Sequence, residues 1–214
     1  MLGLAIHTTS PQLGLALAAI DPREAVKRHQ VWDLGREVSS HLHVKLIEFM
    51  QPYSWQDLSF IAVAKGPGGF TGTRIGVVAA RTLAQQLEIP LFGVSSLAAI
   101  AAQSLAHPPL DPIEDIAVAM SAKREAVYGA IYRPDNRGDL TPLFAEGVVP
   151  QMEWSKIVAT WKRPLKEITP LAAGAGIADS VTSVMALAKV RWAQGDRPDW
   201  SSVIPFYGQH PVHR

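Results

Sequence analysis

Cysteine is absent from the 214 residues, which excludes disulfides, thiolate metal sites and a cysteine nucleophile. An excess of charge of either sign is missing too. Lys and Arg number 20 against 19 Asp and Glu, a formal net charge of +1, so the chain has no electrostatic footprint for gripping nucleic acid unaided. No apolar run approaches the roughly eighteen residues that would mark a membrane span. Met1 to Ile6 is apolar but has no basic leader and breaks at His7-Thr8-Thr9-Ser10, so no signal peptide is predicted and a cytoplasmic protein is the expectation. The 7 histidines are scattered without a His-x-x-x-His pair, which removes the helical metal-ligand spacing. Apolar residues are plentiful: 48% of the chain is hydrophobic, enough for one large domain or two small lobes.

The most informative stretch runs from Phe60 to Leu97, FIAVAKGPGGFTGTRIGVVAARTLAQQLEIPLFGVSSL. Phe60–Ala64 has the length and composition of a strand buried on both faces. A glycine turn follows at Gly66-Pro67-Gly68-Gly69, then a proline-free helical segment from Thr73 to Leu87, closed before Pro90, and a second apolar run, Leu91–Val94. This order predicts a βαβ unit with parallel strands. The helix is apolar or small almost all round, and Gly76, Ala79, Ala80 and Ala84 admit a close neighbour. It either lies sandwiched within its own domain or shows one face to the sheet and another to a partner. The glycine turn also has two readings. Its amides could hold an anion at the helix N-terminus with help from Thr71, Thr73 and Arg74, but the spacing is neither a Walker loop nor a dinucleotide fingerprint. A tight turn needing positive φ is the favoured reading.

Elsewhere, Leu2–Ile6 and Leu13–Ala18 read as a hairpin with a hydroxyl-rich turn containing Thr8, Thr9 and Ser10. A third strand is expected around Lys27–Trp32. A helix should follow to Met50, capped by Ser39 or Ser40, with Leu42, Leu46, Phe49 and Met50 on one face. His41 and His43 fall on different faces, which does not make a metal pair. Ser96–Leu105 reads as a helix, Ile116–Met120 and Ala126–Tyr132 as strands, and Val181–Trp192 has helical spacing. The proline-laden His107–Pro112 is the candidate boundary between a lobe of residues 1–106 and a smaller one of 107–214, whose tail is expected to return to the first. Trp154, Trp161, Trp192 and Trp200 are expected to fill the second lobe's core, and His210 and His213 sit in a tail unsuited to metal binding.

KGPGGFTGTRIGVVAARTLA followed by PLFGVSSLAAIA resembles the GPGSFTGLRIG…GVSSLEAIA block of the TsaB (YeaZ) family of tRNA threonylcarbamoyladenosine biosynthesis, over residues 2 to 132 and loosely beyond. The resemblance implies a two-lobed α/β fold of the actin-like ATPase or ribonuclease-H-like kind, with mixed sheets. Two departures bear on activity. The family start LAIDTS reads LAIHTTS here, so His7 stands at the acidic position, and a neutral imidazole does not replace a hard-cation ligand. The family's DARRGEVY has Ser121 in place of its Asp. His7 is either a remodelled site or, by the favoured reading, a strand-end histidine hydrogen-bonded locally. Leu171–Gly176 resembles the family's second glycine turn, and Gly208-Gln209 departs from its Pro-x-Tyr-Leu-Arg ending.

By the same resemblance, the helix around His41–Met50 and the glycine-turn helix form a face for dimerisation and for a TsaD-like catalytic subunit, comprising Leu42, Leu46, Phe49, Arg74, Val77, Val78 and Arg81. Thr8, Thr9, Ser10, Gly66, Gly68, Gly69 and Thr71 make vestigial phosphate turns. The implied function is a scaffold without catalytic residues, cofactor or metal of its own. ATP, magnesium and metal then belong to partner subunits, among them a TsaE-like ATPase, and tRNA is met only indirectly. The alternatives are an actin-like nucleotide-binding phosphotransferase or ATPase, and a homodimer unconnected with tRNA modification.

Overall fold

Alternation and turn chemistry at the N-terminus produce the expected hairpin: β1 (Leu2–His7) pairs antiparallel with β2 (Gln12–Ala19), and β2 with β3 (Lys27–Asp33). The computed structural model describes residues 1–21, 23–25, 27–105, 114–169 and 176–208. After α1 (Val38–Met50) the chain enters the βαβ unit, β4 (Leu58–Ala64), α2 (Phe70–Leu87) and β5 (Leu91–Val94). β4 lies parallel to β1 and β5 parallel to β4, giving a 5-stranded sheet of order β3-β2-β1-β4-β5. Helix α2 starts at Phe70, closer to the glycine turn than Thr73. Neither Ser39 nor Ser40 caps α1. Its N-cap is Glu37, without a side-chain cap hydrogen bond, because a 3-10 turn at Gly35–Glu37 leads straight into the helix.

The strands read as continuous apolar runs because both faces of this sheet are covered. Leu2, Leu4 and Ile6 pack with Leu42, Leu46, Phe49, Met50, Val77 and Ala80 of α1 and α2. Ala5, Ala16, Ala18, Ala62 and Ala64 point the other way, toward Val181, Val184, Met185 and Ala188, as alternation of Cβ along a strand requires. Those partners belong to α5 (Val181–Ala193). Helix α5 thus returns to the first sheet, and alanines on the sheet let it come close.

After α3 (Ser96–Gln103), capped by the Ser95 hydroxyl, a second sheet repeats the first in shorter form. Strands β6 (Asp115–Ser121), β7 (Ala126–Pro134), β8 (Leu140–Pro150) and β9 (Leu165–Ile168) stand in the order β8-β7-β6-β9. β6, β7 and β8 pair antiparallel and β6 pairs parallel with β9, as β1 does with β4. Helix α4 (Gln151–Ala159) follows β8 as α1 follows β3. This duplicated mixed-sheet arrangement is the expected actin-like or ribonuclease-H-like class. Sequence reading found neither β8, α4 nor β9, since β8 is largely half-exposed and β9 is only four residues long. The expected lobe boundary at 106/107 and the His107–Pro112 break lie outside the described residues.

Two of the four tryptophans are placed differently from expectation. Trp154 and Trp161 pack in the second lobe, but Trp192 lies 5.3 Å from the Phe60 ring and Trp200 packs on the α1–α2 core, because α5 and the segment after it fold onto the first sheet. Trp161 also donates a hydrogen bond from Nε1 to Asp115 Oδ2 at 3.0 Å. Asp115 is fully buried and holds Arg133 through two hydrogen bonds of 2.8 and 3.0 Å, with Arg163 at 3.5 Å. Burial alone would raise its pKa, but the hydrogen bonds from Arg133 and Trp161 and the two positive charges outweigh it and hold the carboxyl below its usual value. Asp115→Asn is expected to lose about 2–3 kcal/mol in urea unfolding, at or below the lower end of the roughly 3–5 kcal/mol for a broken buried pair, because both arginines are screened by solvent.

Candidate functional site

The two turns expected to hold phosphate face each other, and they are packed into each other. Thr8 and Thr9 are fully buried and Ser10 nearly so. The Thr8 hydroxyl donates to the Gly72 carbonyl at 2.8 Å, and the Thr9 hydroxyl shares a hydrogen bond with Ser96 Oγ at 3.0 Å. Gly69 N–H donates to the Thr9 carbonyl at 2.7 Å, while Thr73 returns both its N–H and its hydroxyl to the Gly69 carbonyl at 2.9 and 2.8 Å. A side chain at Gly68 would collide with the backbone of Thr9, so this glycine serves close approach. Gly66, at φ +102°, is the tight-turn glycine that the sequence predicts. Its outer side is covered by the backbone of Phe206, whose N–H donates to the Lys65 carbonyl at 2.7 Å.

His7 closes the same corner. It is fully buried, and neither Nδ1 nor Nε2 has a hydrogen-bond partner among the described residues. For this ring the local hydrogen bond favoured from sequence is not found among the described residues. Burial pushes its pKa down to about 3, so the imidazole is neutral at physiological pH. Ser121, the second departure, is exposed at the end of β6. Among the described residues no three His, Asp or Glu side chains converge as a metal site. Of the second glycine turn only Gly176 is described; residues 171–175, like Gln209, His210 and His213, lie outside the described residues.

Beyond the buried turns, Thr71 and Phe70 at the start of α2 line a cleft of about 710 Å³ with Ser10, Arg36 and Ser39. It continues into a groove of about 580 Å³ between Ser39 and His43 of α1 and Arg74, Ile75, Val78, Ala79 and Thr82 of α2. The residues expected on the partner face divide here. Leu42, Leu46, Phe49 and Val77 are buried in this chain's own core, which corrects their assignment: the stripe at i, i+4 and i+7 of α1 is the side that packs on the sheet. Arg74 is exposed with its guanidinium 5.5 Å from the Phe70 ring, and Arg81 lies 5.6 Å over Trp200. Val78 is 59% exposed, joined by Val44 at 50%, Ile47 at 57% and Phe70 at 43%. Val44, Ile47 and Phe70 were missed, although α1 carries Val44 and Ile47 outside its core stripe, a signal available in the sequence.

Comparison with known proteins agrees with this architecture. The family model for TsaD, tRNA N6-adenosine threonylcarbamoyltransferase, matches residues 20–141, more than half of the 214 residues. The tRNA threonylcarbamoyladenosine biosynthesis protein TsaB of Bacillus subtilis (strain 168) is 38% identical over 172 residues, covering 77% of this chain and 66% of that protein. The protein of the same name from Buchnera aphidicola subsp. Schizaphis graminum is 38% identical over 116 residues, 51% of this chain and 54% of that protein. The matches thus span from about half to just under two thirds of these relatives' own lengths. YeaZ from Pseudomonas aeruginosa superposes with a TM-score of 0.75 at 22% identity, covering 96% of this chain and 99% of that one, which shows the shared fold. By the family-model match over more than half of its residues and the 38% identity with the Bacillus subtilis protein, the chain belongs to the TsaB (YeaZ) family.

Proposed function

We propose that this protein is a non-catalytic scaffold in the biosynthesis of threonylcarbamoyladenosine in tRNA, and that it holds a TsaD-like catalytic subunit on the outer face of α1 and α2. The observation that carries this reading is that Val44 and Ile47 of α1 and Phe70 and Val78 of α2 are exposed apolar side chains, the latter two lining the 580 Å³ groove, since exposed apolar area marks an interaction site. The names of the relatives supply the pathway, and the TsaD family match supplies the kind of partner. The inward-packed turns, the neutral His7 and Ser121 support a role without catalysis. In this reading ATP, magnesium and metal stay with partner subunits such as a TsaE-like ATPase, tRNA is contacted through the partner, and the face also serves a homodimer. Binding energy on this face favours one conformation of the partner in proportion to its differential affinity.

One feature favours the second reading, a nucleotide-binding phosphotransferase or ATPase: the 710 Å³ cleft opens beside Thr9, Ser10, Gly69 and Thr71 at the start of an 18-residue helix. That reading predicts magnesium-dependent ATP hydrolysis by the isolated chain. The direct test of the scaffold is depletion in the organism of origin, with threonylcarbamoyladenosine in bulk tRNA quantified by mass spectrometry. Loss of the nucleoside, restored by the wild-type gene, is expected. An unchanged level with no second copy of the gene overturns the assignment.

A further inference from the structure

The segment that follows the 3-10 turn Trp200–Ser202 crosses from the first sheet to the second with no helix or strand of its own. Val203 is buried in the first lobe's core and lies against Gly93 of β5, where a side chain would leave it no room. Phe206 sits on the glycine turn: its N–H donates to the Lys65 carbonyl at 2.7 Å, and its own carbonyl covers Gly66. The Tyr207 ring packs on Phe70 at the start of α2, with centroids 4.7 Å apart and planes tilted by 37°. The Tyr207 carbonyl accepts the hydroxyl of Tyr128, on β7 of the second sheet, at 3.3 Å. Gly208, at φ +62°, runs so close to β7 and β8 that a side chain there would collide with the Tyr128 ring and crowd Val148. Val203–Gly208 thus touches β5, the glycine turn, α2, β7 and β8 in turn.

Two kinds of joint therefore connect the lobes. Leu97 and Ile100 of α3 pack with Ile116, Val118 and Tyr132 of the second sheet in a buried apolar cluster, which is costly to open. The crossing segment holds the second lobe differently. Its contacts there and at the turn are one aromatic pair and two hydrogen bonds, on Phe206, Tyr207 and Tyr128, which are only half-buried; local structure of this kind opens far below the global cost. At the same seam the Lys65 ammonium pairs across the lobes with Glu146 of β8 at 3.4 Å, and Oε2 of Glu146 is buried without a hydrogen-bond partner among the described residues. A buried carboxylate oxygen without a donor gains from reaching water, so the closed seam carries a cost that opening relieves. We propose that Val203–Gly208 is a strap that latches the second lobe to the first over the glycine turn, with the α3 cluster as the hinge. In place it shields Gly66 and the Lys65–Glu146 pair; lifted, it lets the lobes part and opens the turn to solvent. The latch does not depend on the α1–α2 face or on its partner.

The lack of cysteine allows two spin labels to be placed on the full chain, at Gln86→Cys on α2 and Met152→Cys on α4, both exposed and clear of the strap. Their distance distribution is measured by pulsed electron paramagnetic resonance, alone and with Tyr207→Ala or Tyr128→Phe added. Hydrogen exchange of the Phe206 amide is followed in the same variants without labels. The latched protein is expected to give one narrow distribution. Tyr207→Ala should speed exchange of the Phe206 amide by about tenfold through loss of the aromatic pair, and should broaden the distribution. Tyr128→Phe keeps the ring and removes only its hydrogen bond, so the same two changes should follow, with exchange faster by about threefold. If the Phe206 amide exchanges faster while the distribution stays narrow, the α3 cluster alone joins the lobes and the strap is overturned. An equal rise at the Val63 amide in β4 would mean global unfolding in place of a local latch, and unchanged exchange and distance in both variants would equally refute it.

Discussion

Val78→Asp is expected to abolish co-purification with a TsaD-like partner while leaving the isolated chain folded. Val78 is 59% exposed on α2, so in the free protein the new carboxylate stays in water and should change stability by only about 0.5 kcal/mol. In a complex the same carboxylate would be buried without a counter-charge. An unpaired charge in a desolvated interface costs about 3–5 kcal/mol, a loss of two or more decades in affinity. Val77→Asp is the informative contrast. Val77 is fully buried against the sheet, so this change should unfold the protein instead of merely releasing the partner. Circular dichroism and pull-down on the two variants separate the effects. Retention of the partner by a folded Val78→Asp protein would place the interface on another surface.

The second large effect is acid sensitivity through His7. The ring is fully buried with both nitrogens unpartnered, and its pKa falls from 6.5 to about 3 by desolvation. Above pH 6.5 the ring is neutral in both folded and unfolded chains and does not affect stability. Between pH 6.5 and 3 the unfolded chain takes up the proton and the folded one does not, so stability falls as pH falls. The slope is about 1.4 kcal/mol per pH unit, and the loss approaches about 4–5 kcal/mol at pH 3. Asp115 adds to this at the acid end, since its depressed pKa makes its contribution disappear as the pH drops through the folded value. Urea unfolding between pH 7 and pH 4 should therefore show a falling midpoint, and His7→Leu should flatten that profile. An unchanged pH profile in His7→Leu would mean that His7 takes up its proton equally in the folded and unfolded chains and does not cause the acid loss.

How far the chain could be read without coordinates depended on where each element obtains its stability. The hairpin β1–β2, the unit β4–α2–β5 and helix α5 were legible because their apolar runs, glycine turn and bounding proline are local signals. β8 and β9 were not, because Pro142 and Gly147 interrupt the pattern of β8 and β9 is only four residues long, so both take their place from pairing with β7 and β6. In the candidate site, Thr8, Thr9, Ser10, Gly66, Gly68 and Gly69 were identified as two turns, but not that the turns fill each other. That outcome rests on contacts such as Thr9 with Gly69 and Ser96, far apart in the chain.

The sequence by itself determined the lack of thiol chemistry, the βαβ unit, the family and the identities of His7 and Ser121, where the resemblance implies acidic residues. All of these are properties of residue identity and short-range order. Only the tertiary structure decided that Leu42, Leu46, Phe49 and Val77 face inward while Val44, Ile47 and Val78 face out, that His7 has no partner, and that Trp192 and Trp200 join the first sheet. A helix carrying apolar residues on two sides has no local preference for which side is buried. The sheet against which it packs makes the choice, burying the larger apolar stripe and leaving the other exposed.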